Sequence, residues 1–217
     1  MENKTTNSKS TPESEHLKNL ADIRSLMERS SSFISLSGLS GISAGIIGLI
    51  AAFILHSRLK GFIDYTNPQW LNEANRNELI TFGIIFSAIV VFVTFALAIF
   101  FTARKAKKRG LPVWDGSAKR LVISLFIPLI TGGVFCLLLL YQRFDWMVLP
   151  SMLVFYGLAL LNASKFTLNE IKWLGVSEII LGLAAMLFLD YAVYFWGAGF
   201  GLMNILYGTA MYFRHEN

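Results

Sequence analysis

Six long apolar runs, separated by short polar connections, dominate the chain: residues 33–55, 79–101, 121–141, 146–163, 173–189 and 193–213. Each is close to the ~20 residues that a helix needs to cross a ~30 Å hydrocarbon layer. A segment that crosses lipid must satisfy its backbone N–H and C=O groups internally, and a helix does this within one segment. The pattern therefore predicts an all-α integral membrane helical bundle of six transmembrane helices. The last two runs are nearly continuous, but residues 173–213 are too long for a single crossing. Asp190, followed by Gly197 and Gly199, is read as the turn of a tight hairpin. Arg143 and Asp145 mark a second hairpin between runs three and four.

The polar remainder adds two N-terminal pieces. Residues 1–13 are rich in Ser, Thr, Asn and Lys and read as a disordered tail. Over 14–32, Leu17, Leu20, Ile23, Leu26 and Met27 recur every three or four positions among charges, which predicts an amphipathic cytoplasmic helix. Leu20, Ile23, Arg24 and Met27 form its expected partner-docking face. The organisation is then tail, helix, membrane domain over 33–213, and a short tail over 214–217.

Composition and charge sharpen this picture. The chain of 217 residues is 54% hydrophobic, and of its 19 Lys or Arg and 14 Asp or Glu only Glu178 lies inside a run. Such segregation excludes an ordinary water-soluble domain. With the N-terminus inside, fifteen of the 19 basic residues fall on the inner side. By the positive-inside rule both termini are expected to be cytoplasmic, as in a multi-pass membrane protein. The net charge of +5 arises from the connection over 102–120, so no nucleic-acid partner is expected. Within it Arg104, Lys105, Lys107, Lys108 and Arg109 are expected to contact anionic inner-leaflet headgroups, at about 1 kcal/mol per basic residue.

Small residues are patterned along the runs. Gly38, Gly41, Gly45 and Gly48 share one face of run one; Gly197, Gly201, Asn204 and Gly208 share one face of run six; Gly175, Glu178 and Gly182 share one face of run five. Small faces let helices approach closely in lipid, so runs one, five and six are expected to form the tight core. Glu178 is the residue to single out, because an intramembrane carboxyl is costly and normally faces protein or water. Counted from Trp173 it lies about 7.5 Å deep, a level shared with Ser37, Gly38, Gly208 and Asn162. These groups, with Asn204, are the candidate polar site, read either as a cavity open to the cytoplasm whose carboxyl binds a proton reversibly or as hydrogen bonds that lock helix packing. Pro128 leaves the carbonyl of Ser124 without its helical donor and should kink run three.

Catalytic patterns lack support. Gly38-Leu-Ser-Gly41 and Gly41-Ile-Ser-Ala-Gly45 match serine-hydrolase patterns, yet His16, His56 and His215 lie outside the runs, so neither serine has a base beside it. No metal-ligand spacing or cofactor motif is present, and none is expected to be bound.

The stretch Asp22-Ile-Arg-Ser-Leu-Met-Glu-Arg-Ser-Ser-Ser-Phe-Ile-Ser-Leu-Ser-Gly-Leu-Ser-Gly41 resembles a junction signature of uncharacterised bacterial multi-spanning inner-membrane proteins. That resemblance implies a membrane location and carries no activity. The expectation is a non-enzymatic accessory, sensory or scaffold subunit acting through its N-terminal helix, with a homo-oligomer or another membrane or cytosolic protein as partner. The alternative is a small proton-coupled secondary transporter using Glu178.

Overall fold

The computed structural model describes residues 37–62, 73–108, 110, 114 and 116–215. The expected tail and amphipathic helix, with Leu20, Ile23, Arg24 and Met27, lie outside the described residues, as does Arg109. The described residues are all-helical. They form α1 (Gly38–Phe62), α2 (Glu73–Lys108), α3 (Gly116–Tyr141), α4 (Val148–Ala163) and α5 (Asn169–Leu187), followed by α6 (Ala192–Gly197), a π-helical turn (Ala198–Met203) and α7 (Asn204–His215). The backbone stays in the right-handed helical region at both junctions of the π turn, so α6, the turn and α7 make one continuous final helix. Four segments, within α1, α2, α3 and the α4 region, are long and apolar enough to cross a membrane. The 19 residues of α5 carry Glu170, Lys172 and Glu178, and the final helix is interrupted by its π turn.

Helix ends depart from the apolar runs in ways that matter. The 36 residues of α2 extend about 54 Å, beyond both ends of run two. Arg104, Lys105, Lys107 and Lys108 are therefore the last turns of a helix rather than a loop. Helical geometry splits them: Arg104, Lys107 and Lys108 are exposed, whereas Lys105 is buried and does not face outward with its neighbours. Between runs five and six the chain turns at Asp190, and Gly197 and Gly199 take no part in the turn. Helix α5 ends at Leu187, Phe188 leaves helical geometry, and a short 3-10 turn at Leu189–Tyr191 starts the return. Both glycines lie inside the final helix, and Trp196 is buried within the bundle.

The α3–α4 connection closes as a Schellman motif. The Phe144 N–H donates to the Leu139 carbonyl and the Arg143 N–H to the Leu140 carbonyl, with Arg143 at φ 65 where glycine is usual. Arg76 at the start of α2 grips this corner. Its Nε and Nη2 donate to the two Asp145 carboxylate oxygens at 2.8 Å each, and Nη2 also donates to the Leu140 carbonyl at 2.6 Å.

Two glycine seams hold the bundle. In the first, α1 lies antiparallel to the final helix, Gly38 against Gly208 and Tyr212, Gly41 against Gly208, and Gly48 against the Phe200 carbonyl. A Cβ on Gly45 would stand 2.6 Å from the Gly201 carbonyl oxygen and 2.8 Å from the Ile205 nitrogen, both backbone. In the second, α4 and α5 are antiparallel, with Gly157 facing Gly175 and Gly182 facing Pro150 and Val154. Of the expected tight core of runs one, five and six, runs one and six do meet through their glycines, but run five does not join that seam. Its glycines serve α4, because Gly157 supplies the matching gap on that helix.

The seams predict a contrast between glycines. Gly45→Ala should lower stability by about 1–3 kcal/mol, since backbone cannot yield as a side chain can. Gly133→Ala, whose Cβ would meet nothing within 4 Å, should be neutral or stabilising by up to about 1 kcal/mol. Thermal unfolding in detergent measures both, and equal melting temperatures would contradict the seam.

Candidate functional site

Glu178 stands near the middle of α5, nine residues or about 13.5 Å from Asn169. The small-residue face of α5 carries it between Gly175 and Gly182, both buried, and the seam with α4 draws that face inward. Glu178 has no solvent-accessible surface.

Its carboxyl meets the final helix at the π turn. A Cβ at Gly199 would collide with Glu178 Oε2 and would lie 2.5 Å from Leu153 Cδ2. Only glycine at 199 leaves room for the carboxyl. The one hydrogen bond to the carboxyl comes from Asn204, whose Nδ2 donates to Oε1 at 3.5 Å. The same nitrogen donates to the carbonyls of Gly199 at 3.2 Å and Phe200 at 3.3 Å. An amide nitrogen has two hydrogens, so three acceptors compete for them, and the carboxyl is the most distant. Glu178 Oε2 is buried with no hydrogen-bond partner. Among the described residues Glu178 forms no ion pair.

The network continues into α4. Tyr156 donates its hydroxyl to Asn204 Oδ1 at 2.9 Å, which fixes the amide with Nδ2 towards Glu178. The Tyr156 ring stacks on Phe200 with centroids 4.7 Å apart, and Trp196 lies tilted against Phe200 with centroids 4.8 Å apart. One turn towards the terminal end, the Ser177 and Tyr207 hydroxyls are 3.4 Å apart.

The sequence-derived set is thereby divided. Glu178 and Asn204 meet. Ser37 does not join them: its carbonyl accepts from Ser40, and the adjacent Gly38 packs against Gly208 and Tyr212, one to two turns beyond Asn204. Asn162 does not join them either. Its Nδ2 donates at 2.8 Å to the Ser124 carbonyl, the group that Pro128 deprives of its helical donor, and its Oδ1 accepts from Lys165. The site does not open to the cytoplasm through these residues; the buried carboxyl is closed over by Leu153, Gly199 and Asn204. Gly201 and Gly208 serve the seam with α1, Gly197 faces Ala52, and Gly182 serves α4. The serines of the hydrolase-like patterns bond their own helix, Ser40 Oγ to the Ser37 carbonyl and Ser43 Oγ to the Ser40 carbonyl.

Tyr156, Leu153 and Gly199 were missed. Gly199 was visible in the sequence but was read as a turn residue. Tyr156 could have been found by matching Gly157 with Gly175, which sets Tyr156 level with Glu178.

The Asn162 bond across the proline gap makes a separable prediction. Asn162→Leu should cost about 1–3 kcal/mol by stranding the Ser124 carbonyl. Combined with Pro128→Ala, which restores a backbone donor to that carbonyl, the same change should cost much less. A double-mutant cycle by thermal unfolding measures the coupling, and additive losses would contradict it.

Comparison with family models, with curated proteins and with solved structures finds no match to this chain.

Proposed function

We propose that the chain is a six-span protein of a bacterial inner membrane with both termini cytoplasmic, and that it works as a small proton-coupled secondary transporter whose proton-binding group is Glu178. The span count is supported by lengths. Helix α5 is about 28 Å long and the continuous final helix about 36 Å, both near the ~30 Å of a hydrocarbon core. The orientation is supported by the excess of Lys and Arg on one set of connections.

One observation carries the functional reading: a carboxyl with no accessible surface and one oxygen unpartnered, set against the π turn of a helix. A purely structural residue would not be expected to carry that cost. Glutamine would offer Asn204 the same carbonyl acceptor without an ionisable group, whereas a buried unsatisfied polar atom costs about 1–3 kcal/mol. Groups of this kind in membrane helices mark proton and ion relays, and π turns recur at functional positions. The turn supplies a place where the final helix can change its register as the carboxyl gains or loses a proton.

A second reading, an accessory or scaffold subunit, is favoured by α2. Its apolar window has no buried residue, and Phe92 is 75% exposed. In this reading the α2 face meets another membrane protein, and the junction resembling uncharacterised inner-membrane proteins provides the cytoplasmic contact.

Full-length protein in vesicles with a trapped pH-sensitive dye tests the first reading against a panel of cationic, anionic and zwitterionic solutes. Glu178→Gln should reduce solute-driven proton movement at least tenfold while leaving the melting temperature equal or higher. Proton movement that survives Glu178→Gln would contradict the proposal. Crosslinking from position 92 in cells tests the second: a defined protein adduct supports it, and lipid adducts alone count against it.

A further inference from the structure

The surroundings of Glu178 are aromatic as well as closed. Phe200 follows Gly199, the residue against which the carboxyl rests, and its ring stacks on Tyr156 and meets Trp196 at a tilt. Trp196 belongs to the same buried cluster as Leu153, which closes on Gly199 beside the carboxyl. Three rings from α4 and the final helix thus contact one another beside the π turn against which the carboxyl rests. None of the three is covered by a protein cation; the basic groups of the described residues that lie over rings are at Phe82, Phe166 and Trp173. The Trp196 Nε1 is itself buried and without a hydrogen-bond partner.

We propose that this is a binding site for a lipophilic organic cation, a quaternary ammonium or phosphonium, which competes with the proton for Glu178. The inference rests on the proton-coupled reading and names its substrate class. A carboxylate and several ring faces are the two features that recognise such cations, through charge and through the ring quadrupole. A hard inorganic cation fits less well, because it needs several oxygen ligands at short range. The Gly199 and Phe200 carbonyls, which a π turn could offer, already accept from Asn204. Binding balances simply: the protonated carboxyl releases one proton as one cation takes its place. The rings must part to admit it, and the π turn carrying Phe200 is the departure from α geometry in the final helix that permits this.

The titratable groups facing the site are few. Helix α5 presents Glu178, α4 presents Tyr156, and α7 presents Tyr207 through Ser177. Helix α1 presents none along its glycine seam, since His56, Arg58 and Lys60 stand at its far end.

Calorimetric titration of the purified full chain with tetraphenylphosphonium, in buffers of different ionisation enthalpy, tests the site. The expected result is saturable binding that releases one proton and tightens about tenfold per pH unit while the carboxyl is protonated. Glu178→Gln should abolish the proton release. Trp196→Leu should weaken binding about tenfold, whereas Trp196→Phe, which keeps a ring, should stay near wild type. Absence of binding at every pH, or binding indifferent to Glu178→Gln and Trp196→Leu, would overturn the proposal. So would stabilisation by sodium but not by tetraphenylphosphonium. If tetraphenylphosphonium fails while Glu178-dependent proton movement persists in vesicles, this inference falls and the proton site stands; if both are absent, both fall.

Discussion

Close approach of backbones at glycine is the constraint on which the rest of this bundle depends. Lipid gives apolar helices little reason to associate, so packing and interhelical hydrogen bonds must do the work that water does for a soluble core. Here two antiparallel seams supply it, α1 against the final helix and α4 against α5. At Gly38, Gly45 and Gly48 in one seam, and at Gly157 and Gly175 in the other, an added Cβ would meet the backbone of the facing helix. The spacing between helices is therefore set by main chain. Larger side chains on the outer faces, such as those of α2, are left to the surrounding medium.

The seams also decide where the one deep carboxyl goes. Because α5 presents its small face to α4, Glu178 on that face is carried inward with Gly175 and Gly182 and emerges against the final helix. There it finds Gly199 in a π turn and Asn204 just beyond it. Asn204 is shared between the carboxyl and two carbonyls of the turn, so one side chain is bonded to both. Tyr156 completes the link from α4. A site that couples proton binding to helix movement needs this kind of connection, in which one side chain is bonded to both the titrating group and the element that moves.

Much of this was legible in the chain and some of it was not. The apolar runs marked the helices because period and length are local properties. The importance of Glu178 and Asn204 followed from their being polar groups among apolar ones. Their partners were harder to find. Equal depth suggested Ser37 and Asn162, but depth ignores which way a helix faces, and Asn162 turns to α3 to serve the carbonyl freed by Pro128. Gly199 looked like a hairpin residue because glycine commonly breaks helices. In this chain it is required by the close approach of a carboxyl from another helix, a tertiary fact that no local pattern carries.

The central claim is that Glu178 and the π turn behave as one unit. Amide hydrogen exchange of residues 198–203, compared between wild type and Glu178→Gln across pH, measures this directly, because the intrinsic pH dependence of exchange is common to both proteins. The account predicts that the ratio of their protection changes as Glu178 titrates, with the turn opening in one protonation state of the wild type alone. A ratio that stays constant across the whole pH range, with the turn equally protected in both proteins, would contradict it.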